Sequence, residues 1–447
     1  MNKREAALAF RERLIGPTVE HAISTVPLYR ELYAGISSPT SLASLANLPP
    51  LAKRVAHQAG VKRLSTAVGT CLIQYTSGTT GAPFVIHRSR EEIDAISKFF
   101  TIVQAPCEGN LPVVLSLANI VHGSPTPVPG QSFVVAGACY DEHTATSTRM
   151  LLLSDYSLPG FESRISVVSG PLAQVIYFTQ FLLETGVAPD KQGIRYLSVY
   201  GDYLSEPYLR YLQDAWKCPI VDKYSLSEIF GGGRRVNNEP AVFDVHAVPE
   251  VVTAEGTPAA EGQVGRLLLT SLFPFVQRQP FIRYETGDLF SRQADQNGDD
   301  FYVFRGRSVH SLEHPTESGS YLILGVDLMD AIDGNPLLVG ESYSTAIPIR
   351  AKKVFQNTTF VGHVSDQGWG RWSTTLHLES TIPLAHQPEF RSAIEGEVRR
   401  KIVGRSPGLQ RVLNNNTFRF NVSLREPLSL AALGLPLNQW TSASPAL

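Results

Sequence analysis

Cysteine is scarce in this chain of 447 residues: four occur, Cys71, Cys107, Cys139 and Cys218. They lie far apart, which excludes the close C-x-x-C pairs of structural zinc sites and makes a reduced chain the simpler reading. An excess of charge of either sign is also lacking, since 39 Lys and Arg balance 41 Asp and Glu to a formal net charge of −2. Without a basic or acidic footprint, nucleic acid and anionic membrane surfaces are poor partners and a small molecule fits better. Apolar runs such as Phe133 to Tyr140 fall far short of the roughly 20 residues of a membrane span. Met1 to Arg13 carries scattered charges and no apolar h-region, so no secretory signal is read there and a soluble, cytoplasmic protein is expected. Internal repeats and low-complexity segments are missing as well.

Hydrophobic residues make up 43% of the chain and charged residues 18%, a balance that supplies a substantial core. The length exceeds what one compact core holds, and two domains are expected. From Glu5 to Tyr33 the apolar spacing predicts two helices around a kink at Pro27. Leu42, Leu45 and Leu48 predict one helix over Ser41 to Lys53, stopped by Pro49-Pro50.

From Ala67 to about Arg307 short β-rich runs alternate with helical stretches, which predicts an α/β architecture of sheets covered by helices. Strands are expected at Pro112–Leu117, Gln131–Ala136, Arg195–Tyr200 and Arg266–Thr270. Helices are expected at Arg90–Gln104, Leu172–Glu184 and Glu206–Trp216. Beyond Arg307 the polar, turn-rich stretch His310 to Gly319 reads as a hinge. A small α+β lobe follows, with strands near Tyr321–Gly325, Thr359–His363, Thr374–His377 and Thr417–Val422 and a helix over Pro388–Val403. The expected division is therefore a large domain at 1–307 and a small C-terminal α+β domain at 308–447.

Three strings carry chemistry. Tyr75-Thr76-Ser77-Gly78-Thr79-Thr80-Gly81-Ala82-Pro83 lies between two apolar runs and reads as a hairpin loop. Its hydroxyls and glycines suit polyphosphate oxygens, although composition alone better describes a solvated Ser/Thr/Gly turn. No lysine follows Gly81, so it is not a Walker loop. In Asp222-Lys223-Tyr224-Ser225-Leu226-Ser227-Glu228 the final carboxylate, at the end of a strand, is placed to hold a magnesium ion on phosphate oxygens. In Ile282-Arg283-Tyr284-Glu285-Thr286-Gly287-Asp288 a tight Thr-Gly turn is expected to present Asp288, a carboxylate able to accept both hydroxyls of a ribose. Arg305-Gly306-Arg307 then offers a guanidinium for the same ribose or a phosphate.

Taken in order, these strings resemble the adenylate-forming superfamily of acyl-CoA synthetases, adenylation domains and luciferases. Val26-Pro27-Leu28-Tyr29-Arg30, Leu45 to Lys53 and Arg283 to Asp288 are similar to segments of its phenylacetate–CoA ligase branch. The resemblance covers about Pro17 to Arg307 well and the remainder in outline. It implies that Thr76, Ser77, Gly78, Thr79, Thr80 and Gly81 close on the phosphates, with Thr80 acting catalytically. It also implies that Gly201, Asp202, Tyr224, Ser225, Leu226 and Ser227 flank adenine and the acyl group. Glu228 would hold magnesium, and Asp288 and Arg307 the ribose. The acid would lie against Ala118, Asn119, His122 and Gly123, with Tyr200 beside it. His122 is the polar catalytic candidate there, against the commoner structural role of a lone histidine.

The implied reaction is ATP-dependent activation of an aryl or otherwise hydrophobic acid as an acyl-adenylate, then transfer to coenzyme A. ATP and Mg2+ are the implied cofactors, and a homodimer the implied assembly. Two alternatives stay open. One is an amide-type ligase whose acceptor is an amine or a carrier protein; the other is a nucleotide-binding descendant without full ligase activity.

The larger departure from the family pattern lies in the C-terminal lobe. After Lys223 the chain has only Lys352, Lys353 and Lys401. The terminal stretch Asn421 to Leu435, where the family carries a lysine that reaches the α-phosphate, has Arg425 and no lysine. Ser225, Asp202 and Phe84 also depart from the usual residues, as does Ser308-Val309-His310-Ser311 after Arg307. Lys223 reads as an exposed lysine, with a surrogate phosphate contact as the alternative.

Overall fold

A computed structural model describes residues 3–67, 69–75, 84–103, 109–117, 132–229, 231–237, 241–294, 300–340 and 358–442. The expected phosphate loop (Thr76 to Gly81) and the acyl-pocket candidates Ala118, Asn119, His122 and Gly123 lie outside these residues.

The central layer is a seven-stranded sheet in the order Phe133–Gly137, Leu111–Leu117, Phe161–Pro171, Tyr196–Tyr200, Ile220–Leu226, Gly231–Val236 and Val242–Phe243. The first five strands are parallel and the last two antiparallel. Parallel strands are buried on both faces, which explains the Val- and Leu-rich run through Leu111–Leu117. The helices Leu172–Glu184 and Glu206–Trp216 pack on this sheet. Their contact is pinned by the buried Trp216 indole N–H, which donates to Thr179 Oγ1 at 2.8 Å.

A second, antiparallel sheet joins Ala247–Val252, Val264–Ser271, Tyr284–Ala294 and Asp300–Arg307. It shares a core with the N-terminal helices. These run over Lys3–Thr25 and Pro27–Leu32, with Pro27 opening the second helix as the kink predicts. The buried Tyr29 hydroxyl donates to Pro280 O and accepts from the Ile282 N–H, tying that helix to the sheet. Leu72–Tyr75 and Val85–Arg88 pair antiparallel.

Two expectations need correction. Ser41 to Lys53 is not one helix: Leu42–Leu45 forms a short helix with a Ser41–Ser44 capping box, and a separate helix runs from Lys53 to Arg63. Proline disfavours helix in the residue before it and removes its own N–H, so Pro49-Pro50 separates two elements instead of ending one. The strand expected at Tyr321–Gly325 runs over Glu317–Ile323, and Gly325 begins the helix Gly325–Ile332.

The C-terminal lobe holds a four-stranded sheet ordered Phe418–Arg425, Trp372–Glu379, Phe360–Asp366 and Trp440–Thr441, packed with Pro388–Arg405 and Pro407–Asn414 around its own apolar core from Leu312 to Leu424. The lobe meets the rest of the chain where Gly306 approaches Gly325. A Cβ on Gly306 would sit 2.7 Å from the Gly325 Cα, so only glycine permits this contact. Beside it, Arg405 pairs with Glu206 and, at 3.7 Å, with Asp330. Asp330 in turn accepts from the Glu206 N–H and the Tyr203 hydroxyl.

Candidate active site

A cavity of about 180 Å3 opens between the central sheet, the antiparallel sheet and the C-terminal lobe. One wall comes from the loop Gly201, Asp202 and Tyr203 and from residues Asp222 to Leu226 of the adjoining strand. The opposite wall carries Asp288, Phe290, Phe304, Gly306 and Arg307. Leu437, Asn438 and Gln439 close it from the far end of the chain.

Asp288, at the centre of this wall, is held through its carboxylate and through its backbone. The Tyr224 hydroxyl donates to Asp288 Oδ2 at 2.7 Å, and Arg307 Nε approaches Oδ1 at 3.5 Å. The Asp288 N–H donates to Thr286 Oγ1, whose own proton goes to Leu267 O. Asp288 is 3% exposed, and burial raises its pKa above the usual carboxylate range while Arg307 pulls the other way. The expected Thr-Gly turn is a bulge within the strand Tyr284–Ala294: the register with the neighbouring strand slips between Arg266 and Leu268, and Gly287 takes φ +84°. Asp288 and Arg307 are register partners across the next strand pair, which is why two residues 19 positions apart meet at one rim.

Glu228 follows the strand Ile220–Leu226 in a turn, as expected, but does not line the cavity. It is 3% exposed, and its Oε1 accepts from the buried Tyr284 hydroxyl at 2.9 Å. Beneath it the fully buried Arg88 donates to the carbonyls of Ser227 and Glu228. A single strand thus carries both Tyr284, which holds Glu228, and Asp288. Ser227 and Tyr200 also lie outside the cavity lining, whereas Gly201, Asp202, Tyr224, Ser225 and Leu226 are in it. Arg305 departs too: its Nε donates to Ser291 Oγ at 3.0 Å, away from the cavity.

Several lining residues had no signal in the sequence. Arg235 pairs with Asp222 at 2.7 Å and lies 5.5 Å over the Tyr203 ring, a contact between neighbouring antiparallel strands that no local motif announces. His310, from the stretch read as a hinge, faces the cavity; burial and Arg307 push its pKa down to about 3. Leu437 to Gln439 arrive because Trp440–Thr441 joins the lobe's sheet beside Phe360–Asp366. Of the lobe's lysines, Lys401 is described, and it pairs with Glu397 at 2.8 Å on the surface, as a solvated residue.

Magnesium takes few protein ligands, often one or two carboxylates completed by phosphate oxygens and water. Among the described residues no group of three or more His, Cys, Asp or Glu side chains forms an all-protein metal cage. A lone, oriented Glu228 fits an ion held mainly by a nucleotide.

No family model matches the chain. Over 310 residues it is 24% identical to the phenylacetate–coenzyme A ligase of Thermus thermophilus, covering 64% of this chain and 66% of that enzyme. A second match, 34% identical over 107 residues, is to the phenylacetate–coenzyme A ligase of Escherichia coli and covers 20% and 24%. The chain thus spans just under two thirds of the first relative and about a quarter of the second. Among solved structures it superposes on an open conformation of 2-hydroxyisobutyryl-CoA ligase, in complex with 2-HIB-AMP and CoA, with a TM-score of 0.63. That match has 16% identity and covers 96% of this chain and 88% of the other. The O-succinylbenzoate coenzyme A synthetase of Bacillus subtilis, in complex with ATP and magnesium, gives a TM-score of 0.51 at 14% identity, covering 80% and 67%. By sequence the chain is similar to phenylacetate–coenzyme A ligases, and by fold to CoA ligases.

Proposed function

We propose that the protein activates a small carboxylic acid with ATP as an acyl-adenylate and passes the acyl group to coenzyme A. The observation that carries this reading is the Tyr224–Asp288–Arg307 constellation at the cavity rim, with Glu228 held by Tyr284 of the same strand as Asp288. The likeness to related ligases in sequence and to solved ligases in fold supports this reading.

In this reading Asp288 accepts the ribose hydroxyls while Tyr224 and Arg307 hold its carboxylate in place. Gly201, Asp202, Ser225 and Leu226 border adenine and the acyl group. Glu228 would hold magnesium, which supplies charge neutralisation at the phosphates. The Tyr284 hydroxyl keeps Glu228 oriented, and Arg88 fixes the backbone of its turn. A carboxylate oxygen of the acid attacks the α-phosphorus in line and displaces pyrophosphate; the thiol of coenzyme A then attacks the acyl carbonyl and AMP leaves. Residues 1–307 form the nucleotide- and acyl-binding domain and residues 308–447 the small lobe, a division supported by the lobe's separate apolar core. Thr76 to Gly81 serve as the phosphate loop, and Ala118 to Gly123 with His122 as the acyl pocket. Among the described residues no helix is long and apolar enough to cross a membrane.

The test is acid-dependent exchange of labelled pyrophosphate into ATP across a panel of aryl and short aliphatic acids, with and without coenzyme A. Exchange with one acid, and a thioester on adding coenzyme A, is the expected result. An absence of exchange with every acid removes the reading, and AMP release that requires an amine instead of a thiol moves the acceptor to another class.

A further inference from the structure

Asp222 and Arg235 both line the cavity, yet the reading above gives neither a task. They are register partners on the antiparallel strands Ile220–Leu226 and Gly231–Val236, and each side chain is 15% exposed. Arg235 Nε donates to Asp222 Oδ2 at 2.7 Å. Burial pushes the Asp222 carboxyl up, and the guanidinium beside it pulls the other way. A charge pair so nearly out of water offsets its desolvation only with further hydrogen bonds, and Arg235 makes one elsewhere.

That second bond leaves the strand pair. Arg235 Nη2 donates to Leu204 O at 3.1 Å, and the guanidinium carbon lies 5.5 Å from the centroid of the Tyr203 ring. Both contacts fall on the loop from Gly201 to Ser205, which leaves the carboxyl end of the parallel strand Tyr196–Tyr200. Ligands of open parallel sheets bind at that end of the strands. The loop opens on Gly201 at φ +95° and supplies Gly201, Asp202 and Tyr203 to the cavity before the helix Glu206–Trp216 begins. From the other side, the Tyr203 hydroxyl donates to Asp330 Oδ1 at 3.2 Å, and its ring lies 5.6 Å from that of Phe304. One planar guanidinium thus joins a carboxylate on the strand to a carbonyl and a ring on the loop. A lysine, with a single compact ammonium, could not serve all three.

We propose that Arg235 is a positioning residue that sets the loop Gly201–Leu204 against the strand Ile220–Leu226, and so shapes the part of the cavity that takes the adenosine of the nucleotide. The proposal rests on the reading of the cavity as a nucleotide site. The competing role, in which Arg235 only offsets the charge of Asp222, predicts a different pattern, because removing both charges together would then repair the loss.

Isothermal titration of the full chain with AMP and with Mg·ATP separates the two, for wild type, R235Q and the double variant D222N/R235Q, each also followed by thermal melting. The expected result is a rise of about tenfold or more in Kd for AMP and ATP alike in both variants, the scale of a lost charge-assisted hydrogen bond. The melting temperature should fall in R235Q, where a buried carboxylate loses its partner, and return toward wild type in the double variant. Should R235Q not fold, the double variant carries the test alone. AMP and ATP affinities within threefold of wild type in the double variant, or a loss confined to ATP, overturn the assignment while wild-type nucleotide binding stands. A wild-type chain that binds neither nucleotide overturns both this assignment and the reading beneath it.

Discussion

The Tyr224 hydroxyl donates a 2.7 Å hydrogen bond to Asp288 Oδ2 and so links the central sheet to the antiparallel sheet at the rim of the cavity. Tyr224 reaches this point from within an aromatic cluster, 5.2 Å from Phe290 and 6.2 Å from Phe304, which leaves its ring little freedom. Y224F keeps the packing and removes the donor from a buried carboxylate, at a cost of about 1–3 kcal/mol. The measurement is the affinity for ATP, which should fall by at least tenfold while far-ultraviolet circular dichroism is unchanged.

If Asp288 reads the ribose, wild type should prefer ATP over 2′,3′-dideoxy-ATP by about tenfold or more, the worth of one or two hydrogen bonds to a charged acceptor. D288N should lose most of that preference. Equal discrimination in the variant would detach Asp288 from the sugar.

Glu228 and Tyr284 form a second pair on the same strand system. E228Q should raise the Mg2+ concentration needed for half-maximal pyrophosphate exchange by about tenfold or more, because a neutral amide is a weaker ligand for a hard cation. Y284F should move the same midpoint in the same direction by less, since the carboxylate remains and only its orientation loosens. An unchanged magnesium midpoint in E228Q removes the metal role from this residue.

Asp333, at the end of the helix Gly325–Ile332, is 5% exposed and accepts from the Thr358 N–H at 2.8 Å. Burial pushes its pKa up to about 7. A carboxyl raised in the fold binds a proton there that the unfolded chain has already released. Its contribution to stability is therefore present below about pH 4 and is lost as pH rises toward 7. D333N retains the acceptor and removes the titration. Between pH 5 and pH 8 the melting temperature of wild type should drop more than that of D333N, and equal drops would show that Asp333 does not titrate in this range.

Arg405 of the lobe pairs with Glu206 across to the rest of the chain, beside the lobe's own Asp330. Arg405 and Glu206 are each more than a third exposed, which limits the pair's worth to about 1 kcal/mol or less. R405A should leave global unfolding nearly unchanged and increase protease cleavage near residues 308–325. Unaltered cleavage kinetics would show that the pair does not restrain the lobe.

The architecture was legible where composition repeats with a clear period. Leu172–Glu184 and Glu206–Trp216 fall where their apolar spacing places them, as do the parallel strands around Leu111–Leu117 and Tyr196–Tyr200. Order along the chain also pointed to Tyr224, Asp288 and Arg307, because each sits in a short string with its own turn or strand end. What stayed hidden depends on contacts between distant segments. Nothing near Arg235 indicates that it pairs with Asp222 across two strands, and Asn438 and Gln439 acquire their place only when Trp440–Thr441 adds to a sheet. The Ser41–Lys53 helix was misread because two prolines looked like an ending, whereas the backbone there bridges Tyr284 and restarts as another helix.

The far wall of the cavity, Leu437 to Gln439, is tethered by the Trp440 indole, whose N–H donates to His310 O at 2.9 Å. The wall of Gly201 to Tyr203 leaves the ribosome more than two hundred residues earlier. A nascent chain consequently holds this chamber open on one side until residues 437–439 have emerged. A proteolytic clip ahead of residue 437 would return the mature protein to that gaping condition while sparing both major sheets.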